Sequence, residues 1–381
     1  MHSWTAERYD RDGYTGLMKT ETGSAISCTV AWSKSQFLSG ACPRFHHPTV
    51  TPLHFQFIQT LNLGQRAVPP LDEDDRPDCR YLRLSDYLRR RFGGRVWKVS
   101  VDAGLGCPNR DGTVGRGGCV FCDPVSFSPS RRGERGPIAE QVQRGAARLR
   151  QRRGAEQFIA YFQPATNTYG PPERLREAYR EALGVEGVVG LAVGTRPDCL
   201  GDRVLDLLAD IARSTWVSVE IGLQSIHPAS LAWMNRGHDA RCFFEAVDRC
   251  HRRGLRTVAH VILGLPGEGA AEIRATADEL ARLRIDGVKM HNLHVVRGTP
   301  LAEMYSAGQI KMATLDDYAK WAADFIERLH PECVIERLAA DAPADHQIAP
   351  AWCRDRSAAR RAIEAELRKR DTRQGGASQR P

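Results

Sequence analysis

The sequence predicts an α/β fold built on parallel strands, and two observations support this prediction. Between residues 96 and 329, short apolar runs alternate six times with segments that have the length and apolar spacing of helices. Strands that alternate strictly with helices must run parallel, with right-handed crossovers. Each strand is also followed by a polar, glycine-containing loop, as the mouth of a parallel barrel requires. The alternation alone allows either a barrel or an open sheet.

The predicted elements begin with a helical pattern from Tyr81 to Phe92, which ends at two glycines. The six predicted strands are Val96–Asp102, Phe158–Phe162, Val188–Val193, Trp216–Ile221, Thr257–Leu263 and Gly287–Leu293. The helices predicted after them are Ile138–Arg152, Glu173–Leu183, Asp202–Arg213, Ala240–Arg253, Ala270–Leu283 and Leu315–Leu329. Functional side chains are therefore expected in the loops that follow the strands.

The regions on either side of this core differ from it. Residues 1–78 lack helical or strand periodicity and contain turn-forming stretches, so we expect a mostly disordered N-terminal extension. Residues 79–335 are predicted to form the main domain. Residues 336–381 are predicted to be a short helical extension packed on that domain, with a frayed end.

The composition limits where the protein can work. The chain has 381 residues, a net charge of +8 and no run of eighteen apolar residues, and its first residues do not resemble a signal peptide. We therefore expect a cytoplasmic protein that does not interact with membranes. The eleven cysteines are scattered through a long chain. This pattern favours reduced thiols and one metal site over disulfides.

Three of these cysteines, Cys107, Cys119 and Cys122, lie within sixteen residues of a glycine-rich loop after the first predicted strand. A Cys-x-x-Cys turn directs two sulfurs at one point, and a flexible loop can bring a third. A structural zinc site has four protein ligands, whereas three ligands leave one metal position open. A zinc ribbon or a disulfide is the alternative, although a second cysteine pair is missing.

The segment Cys119-Val120-Phe121-Cys122 resembles the end of the cluster motif of radical S-adenosylmethionine (SAM) enzymes. The segment Cys107-Pro108-Asn109-Arg110-Asp111-Gly112 resembles the YhcC-like branch of that superfamily, which is related to the catalytic subunit of Elongator but lacks its acetyltransferase domain. The resemblance covers roughly residues 80–375. It implies a partial, six-stranded (βα) barrel over residues 79–335, in which the three cysteines hold a 4Fe–4S cluster and SAM binds the fourth iron.

The resemblance also implies an activity. Reduction of the cluster, by a donor such as flavodoxin or ferredoxin, would cleave SAM to methionine and a 5′-deoxyadenosyl radical that removes a hydrogen atom from the substrate. Elongator modifies wobble uridine in tRNA, and arginine-rich stretches at residues 83–95, 131–153 and 354–370 could contact phosphates. Solvated helices explain these arginines equally well. The alternative function is a non-catalytic RNA-binding protein with a structural metal site.

By the same resemblance, SAM contacts are expected in the loops after the second to fifth strands. For Gln224, Ser225 and the turn at residues 235–238, which line one rim, the resemblance implies contact with either SAM or the substrate. Hydroxyl and amide groups after the second strand suit the methionine part of SAM, and glycines after the fifth strand allow a close approach of the adenine. The predicted SAM-binding residues are Gln163, Thr166, Asn167, Thr168, Arg196, Glu220, Gln224, Gly264 and Gly267. Because Glu220 lies in an apolar strand, it must face a polar lumen or pair with a cation, and a purely structural carboxylate is the alternative.

The sixth predicted strand carries the candidates for catalysis. Period-two alternation places Lys289 and His291 on the same face, near the mouth of a barrel. A lysine and a histidine there could contact the substrate or transfer a proton. A hydrogen-bonded histidine in a barrel wall is the alternative for His291.

Overall fold

The computed structural model describes residues 79–128, 133, 135–355 and 357–379, together with three strands near the N-terminus. The chain divides into two compact units, residues 1–59 and 60–381. In the first unit, β1 (Trp4–Tyr9), β2 (Gly13–Lys19) and β3 (Ala25–Val30) form an antiparallel sheet in that order. The sequence pattern does not predict these strands. The rest of the predicted disorder in residues 1–78 falls outside the described residues.

The second unit is built around a parallel sheet of seven strands. These are β4 (Val96–Val101), β5 (Gln157–Phe162), β6 (Val188–Thr195), β7 (Trp216–Gln224), β8 (Arg256–Leu263), β9 (Gly287–Asn292) and, after the short β10 (Val295–Val296), β11 (Val334–Arg337). The strand order is β11-β9-β8-β7-β6-β5-β4. β10 pairs separately with β12 (Gln347–Ala349) in an antiparallel bridge. The parallel α/β architecture is therefore confirmed.

Helices follow the strands where the periodicity predicts them. In chain order they are α1 (Leu84–Phe92), α2 (Pro124–Phe127), α3 (Ile138–Arg153), α4 (Pro172–Leu183), α5 (Asp202–Ala212), α6 (Pro228–Trp233), α7 (Ala240–His251), α8 (Ala270–Arg282), α9 (Pro300–Ser306), α10 (Leu315–Arg328) and α11 (Ala358–Lys369). The C-terminal helix α11 packs on α10 and buries Ile363 and Leu367 in the main core. No described helix is long and apolar enough to span a membrane.

Alternation along β7 separates the two faces of the sheet. Val217, Val219 and Ile221 are fully buried in the main core, which the helices cover. Ser218 and Glu220 point to the other face, because successive side chains of a strand point in opposite directions. The concave space on that face is called the lumen below.

The sheet is curled so that its two edge strands face each other. Lys98 on the edge strand β4 donates to Glu336 on the opposite edge strand β11, with an Nζ–Oε2 distance of 2.6 Å. The same ammonium group lies 2.7 Å from Glu220 on the central strand β7. One side chain can bridge these strands only across a concave face. The predicted partial barrel is therefore confirmed.

The barrel has one strand more than the six that were predicted. Strand β11 adds a seventh strand beside β9, and the domain boundary predicted between residues 335 and 336 falls inside it. Helix α1 covers the end of the lumen where the strands begin: Leu88 packs there with Ile159 and Trp216. The lumen is thus closed at one end, and the loops after the strands surround the other end.

Candidate active site

The three cysteines lie in the loop after β4. Cys119 is buried, whereas Cys107 and Cys122 are partly exposed. Burial raises the pKa of the Cys122 thiol to about 12, and the neighbouring thiols of Cys119 and Cys107 contribute to this shift. The backbone nitrogen of Cys122 donates to the Cys119 carbonyl oxygen at 2.9 Å, so these two cysteines lie on one turn, and Cys107 lies earlier in the same loop. Iron binding would displace their protons, because the thiolate is the metal ligand.

A turn at residues 234–237, after α6, holds this loop in place. Asn109 donates from Nδ2 to the Asn235 carbonyl oxygen at 2.6 Å, and Asn235 donates in return to the Gly118 carbonyl oxygen at 2.8 Å. Arg236 donates from Nη1 to the Cys119 sulfur at 3.5 Å and from Nη2 to the Gly222 carbonyl oxygen at 2.8 Å. The turn therefore connects the cysteine loop to the end of β7.

Arg196, a predicted SAM-binding residue, supports this turn. Its guanidinium donates to both carboxylate oxygens of Asp198, at 2.9 and 2.8 Å, and to the Arg236 carbonyl oxygen at 3.0 Å. Burial lowers the pKa of Arg196, but Asp198 outweighs it and the pKa is raised, with Cys107 and Cys119 contributing. The observed contacts give Arg196 a positioning role beside the cysteines, and SAM contact remains a prediction for it.

The loop after β5 offers a hydrogen-bond acceptor beside the cysteine loop. Asn167 is fully buried and donates from Nδ2 to the carbonyl oxygens of Phe162, Pro164 and Gly194, each at 3.0 Å. Its Oδ1 has no hydrogen-bond partner within the described part of the chain. The next residue back, Thr166, donates from its backbone nitrogen to Gly106, which precedes Cys107. The loop that carries this amide oxygen is therefore hydrogen-bonded to the loop that carries the cysteines.

The other predicted residues of this loop are bound within the protein. Thr168 donates to the Cys199 carbonyl oxygen at 2.7 Å and also hydrogen-bonds with the Thr195 hydroxyl. Gln163 accepts a hydrogen bond of 3.2 Å from Ser100 through Oε1, so its amide nitrogen remains available.

Three further predicted residues lie at or just after the ends of β7 and β8. Gln224, the last residue of β7, is buried and has φ +74°, a conformation unusual for a residue with a side chain. Gly264 and Gly267 have φ +86° and +82°, which explains glycine at both positions by backbone conformation. Adenine contact by these glycines remains a prediction. Next to Gln224, Ser225 donates to the buried Glu268 and joins the loops after β7 and β8.

Glu220 is the centre of a buried ion-pair network in the lumen. Its side chain is 0% exposed and accepts from Lys98 at 2.7 Å, from Lys289 at 2.6 Å and from His260 at 2.8 Å. Burial raises the pKa of Glu220, but the charges of Lys289 and Lys98 outweigh it and hold the pKa well below its usual range. The structure therefore pairs Glu220 with cations, as the sequence requires. The observed hydrogen bonds of Glu220 are all to protein side chains, and SAM contact by Glu220 remains a prediction.

A second carboxylate, Glu336, completes the network on β11. It accepts from Lys98 at 2.6 Å and from Arg256 at 2.8 Å. Arg256 also donates to Ser218 at 2.7 Å. Strand β11 was not predicted, so Glu336 was missed, and Arg256 was missed because it lies one residue before the predicted start of the fifth strand. Their only sequence signal is that both are charges in or beside apolar runs.

The predicted catalytic residues both face the lumen. Lys289 donates to the Tyr161 hydroxyl at 2.8 Å as well as to Glu220, and burial lowers its pKa to about 8. Burial also lowers the pKa of His260 to about 4 and holds that of His291 well below its usual range. Both histidines are therefore neutral at pH 7. Their rings lie 5.4 Å apart between centroids.

The described residues contain no group of three or more His, Cys, Asp or Glu side chains arranged to hold one metal ion. A single structural ion needs its ligands about 2.0–2.3 Å from one point. In a 4Fe–4S cluster, each cysteine binds a different iron, so the sulfurs need not converge in this way.

Comparison with known proteins identifies the family. A model described as the radical SAM superfamily matches residues 104–280, and the model of the radical SAM C-terminal domain matches residues 285–369. YtqA of Bacillus subtilis is 38% identical over 296 residues, which cover 78% of this chain and 92% of YtqA. The chain belongs to the radical SAM superfamily. Its cofactors are those of the superfamily, a 4Fe–4S cluster and SAM.

Other relatives agree with this assignment. YhcC of Escherichia coli is 40% identical over 270 residues, which cover 71% of this chain and 86% of YhcC. Human Elongator complex protein 3 is 28% identical over 159 residues, or 41% of this chain and 28% of that protein. Elp3 of the archaeon Methanocaldococcus infernus superposes with a TM-score of 0.55 at 18% identity, covering 73% of this chain and 64% of Elp3. The structural match supports the fold.

The residues present fit these cofactors. Cys107, Cys119 and Cys122 are the thiols that would hold the cluster, and three protein ligands would leave one iron for SAM. The buried Oδ1 of Asn167 lacks a donor, and the ammonium group of the SAM methionine is a suitable one. Asn109 and Arg236 hydrogen-bond the Cys119 sulfur, and donors to a ligand sulfur stabilise its negative charge.

Proposed function

We propose that this chain is a radical SAM enzyme in which Cys107, Cys119 and Cys122 hold the 4Fe–4S cluster. The observation that carries the proposal is a loop with three free cysteines, hydrogen-bonded to a loop in which the buried Oδ1 of Asn167 has no partner among the described residues. When bound, the cluster would supply the electron for reductive cleavage of SAM, which is the chemistry that the resemblance implies. A small redox protein such as flavodoxin or ferredoxin would deliver that electron.

The protein's own residues position the reactants and exclude water. The turn at residues 234–237 fixes Cys119, and Asn167 orients the methionine part of SAM. The closed end of the lumen, packed with Leu88 and Trp216, keeps solvent away from the radical. Lys289 is a candidate proton donor, because its lowered pKa, about 8, leaves it protonated at pH 7 but able to lose the proton.

The test is iron content and SAM cleavage in anaerobically reconstituted protein. Cys122→Ala should lose reductive formation of 5′-deoxyadenosine and part of its iron, because a cluster ligand is missing. Cys242→Ala is the matched control, since Cys242 is also a partly exposed thiol but lies on α7. Wild-type cleavage by Cys122→Ala, or no cleavage by the wild-type protein, would contradict the assignment. Metal binding without cleavage would favour the RNA-binding alternative.

We further propose that the substrate is tRNA, with a wobble uridine as the modified base. The resemblance to the catalytic subunit of Elongator supports this, and so does helix α3, where Arg144, Arg148 and Arg152 are exposed at intervals of four residues. Arg148 and Arg152 have no ion pair among the described residues. The arginines near the C-terminus support it less, because Arg361 and Arg370 pair with acidic groups.

The corresponding test is tRNA affinity as a function of salt. Replacing Arg144, Arg148 and Arg152 by glutamine should reduce the slope of log K against log salt by roughly 0.7–0.9 per lost phosphate contact. Arg203→Gln with Arg241→Gln is the control, because these exposed arginines lie outside α3 and are paired, Arg203 with Glu173 and Arg241 with Glu245. An unchanged slope, or no binding at low salt, would exclude this surface. The SAM-cleavage proposal would be unaffected.

A further inference from the structure

The seventh strand carries a β-bulge that turns two charged side chains toward the lumen. On β11, Ile335 pairs with Val288 and Arg337 pairs with Lys289, so Glu336 is the extra residue between them. Paired residues of neighbouring strands share a face. Because Lys289 lies in the lumen, Arg337 faces the lumen as well. Glu336 also reaches it, as its bonds to Lys98 and Arg256 show.

Arg337 differs from the other cations of the lumen in having no partner. Lys98 bonds two carboxylates, Arg256 bonds Glu336, and Lys289 bonds Glu220. Arg337 is half-buried and makes no hydrogen bond or ion pair with any described residue. Among the described residues, four cations therefore face two carboxylates in the lumen. An arginine held in that surplus positive charge is unfavourable until an anion joins it.

His291 provides a second unused group at the same place. Its Nε2 is buried and has no hydrogen-bond partner in the described part of the chain. His291 lies two residues beyond Lys289 on β9, and Lys289 is the residue that pairs with Arg337. Because residues two apart on a strand share a face, the imidazole and the guanidinium face the same side of the sheet. Burial lowers the pKa of His291, and the charge of Arg337 contributes to this shift. A neutral imidazole with its hydrogen on Nε2 is a donor.

We propose that Arg337, His291 and Lys289 bind an oxyanion, either a carboxylate or a phosphate group, carried by the substrate. Arginine presents a planar pair of donors that matches both groups, and the ammonium and imidazole donors complete the site. That the oxyanion belongs to the substrate rests on the proposed function. Oxyanion binding itself does not, because it needs neither SAM nor a reductant.

The test is calorimetric titration of the reconstituted full chain with inorganic phosphate and with succinate, at ionic strength held constant with chloride. The wild-type protein should bind at least one of them saturably, and the stronger ligand indicates which group the site takes. Arg337→Gln should weaken binding by at least about tenfold, and Arg337→Lys by less, because lysine keeps the charge but loses the paired donors. Arg203→Gln, on the exposed surface of α5, should bind as the wild type does.

The melting temperature of the ligand-free protein distinguishes a binding role for Arg337 from a structural one. Without ligand, Arg337→Gln should melt at or above the wild-type temperature, because an unpaired cation is removed. Arg256→Gln is the contrast: this arginine is paired with Glu336, so its loss should lower the melting temperature. A lower melting temperature for Arg337→Gln would assign Arg337 to the fold and overturn the proposal.

A titration with SAM distinguishes the remaining source of the oxyanion. SAM affinity should be the same in Arg337→Gln and wild type, because the methionine part is assigned to the loop of Asn167. A tenfold loss would assign Arg337 to the SAM carboxylate and overturn the substrate site. No binding of phosphate or succinate by the wild type would also overturn it. Either result is independent of whether SAM is cleaved, so the two proposals fail separately.

Discussion

Replacing Glu220 by glutamine tests whether the buried network of the lumen is electrostatic. Glu220 bonds Lys98 and Lys289 at 2.7 and 2.6 Å, and all three side chains are largely buried. In Glu220→Gln, Lys98 keeps Glu336, but Lys289 loses its carboxylate partner. Lys289 is then a buried ammonium with the Tyr161 hydroxyl as its remaining acceptor among the described residues.

The expected cost follows from the burial of the pair. Removing one partner of a buried ion pair costs about 3–5 kcal/mol, because the other charge remains desolvated. For a domain of this size, each kcal/mol lowers the melting temperature by about 2–4 °C, so a shift of about 6–20 °C is expected. Glu173→Gln is the control: Glu173 and Arg203 pair at 2.9 Å but are 71% and 77% exposed. Such a pair contributes about 0–1 kcal/mol.

The assay is urea denaturation and thermal melting at pH 7. The double variant Glu220→Gln with Lys289→Met should be more stable than Glu220→Gln alone, since it no longer buries the unpaired ammonium. If Glu220→Gln costs no more than Glu173→Gln, or if the double variant is no more stable than the single, the electrostatic reasoning is wrong.

Three more predictions concern other parts of the chain. Gly237→Ala should lower the iron content, because a Cβ there would lie 2.7 Å from Asn109 Oδ1 and displace the cysteine loop, whereas Gly201→Ala has open space and should not. The free energy of unfolding of the wild type, relative to that of Lys289→Met, should rise between about pH 8 and 10.4, by at most about 1.4 kcal/mol per pH unit. In this range Lys289 is protonated in the unfolded chain but has lost its proton in the folded chain. A difference that stays constant with pH in urea titrations would contradict this. Deleting residues 1–75 should preserve the melting temperature and SAM cleavage, and a large loss of either would show that this segment is needed.

Local sequence patterns were sufficient to predict six strands of the sheet, because each of these strands is short, apolar and followed by a helix. Trp216–Gln224 is buried along its whole length, and its alternation already indicates which residues face the lumen. Glu220 could be assigned a cation partner because an unpaired carboxylate is costly in that position. The partner itself could not be named, since Lys98 is 122 residues away in the chain.

The supports of the cysteine loop could not be predicted for the same reason. Asn235 and Gly118 are 117 residues apart, and no periodicity links the turn after α6 to the loop after β4. Asn109 lies within the quoted motif, yet its bonds to Asn235 and Cys119 depend on how two loops meet. Motif spacing therefore indicated the proposed ligands, while the residues that hold their loop in place needed the structure.

Strand β11 illustrates how a functional group can be hidden by a short irregular segment. Val334–Arg337 has four residues, two of them charged, so neither strand periodicity nor helical spacing identifies it. The bulge then places Glu336 and Arg337 on the same side, which regular alternation forbids. Glu336 accepts hydrogen bonds from Lys98 and Arg256 and so completes the ion-pair network of the lumen. A fold that needed only this carboxylate would gain nothing by turning Arg337 inward next to it, so the unpaired guanidinium is better explained by a ligand than by stability.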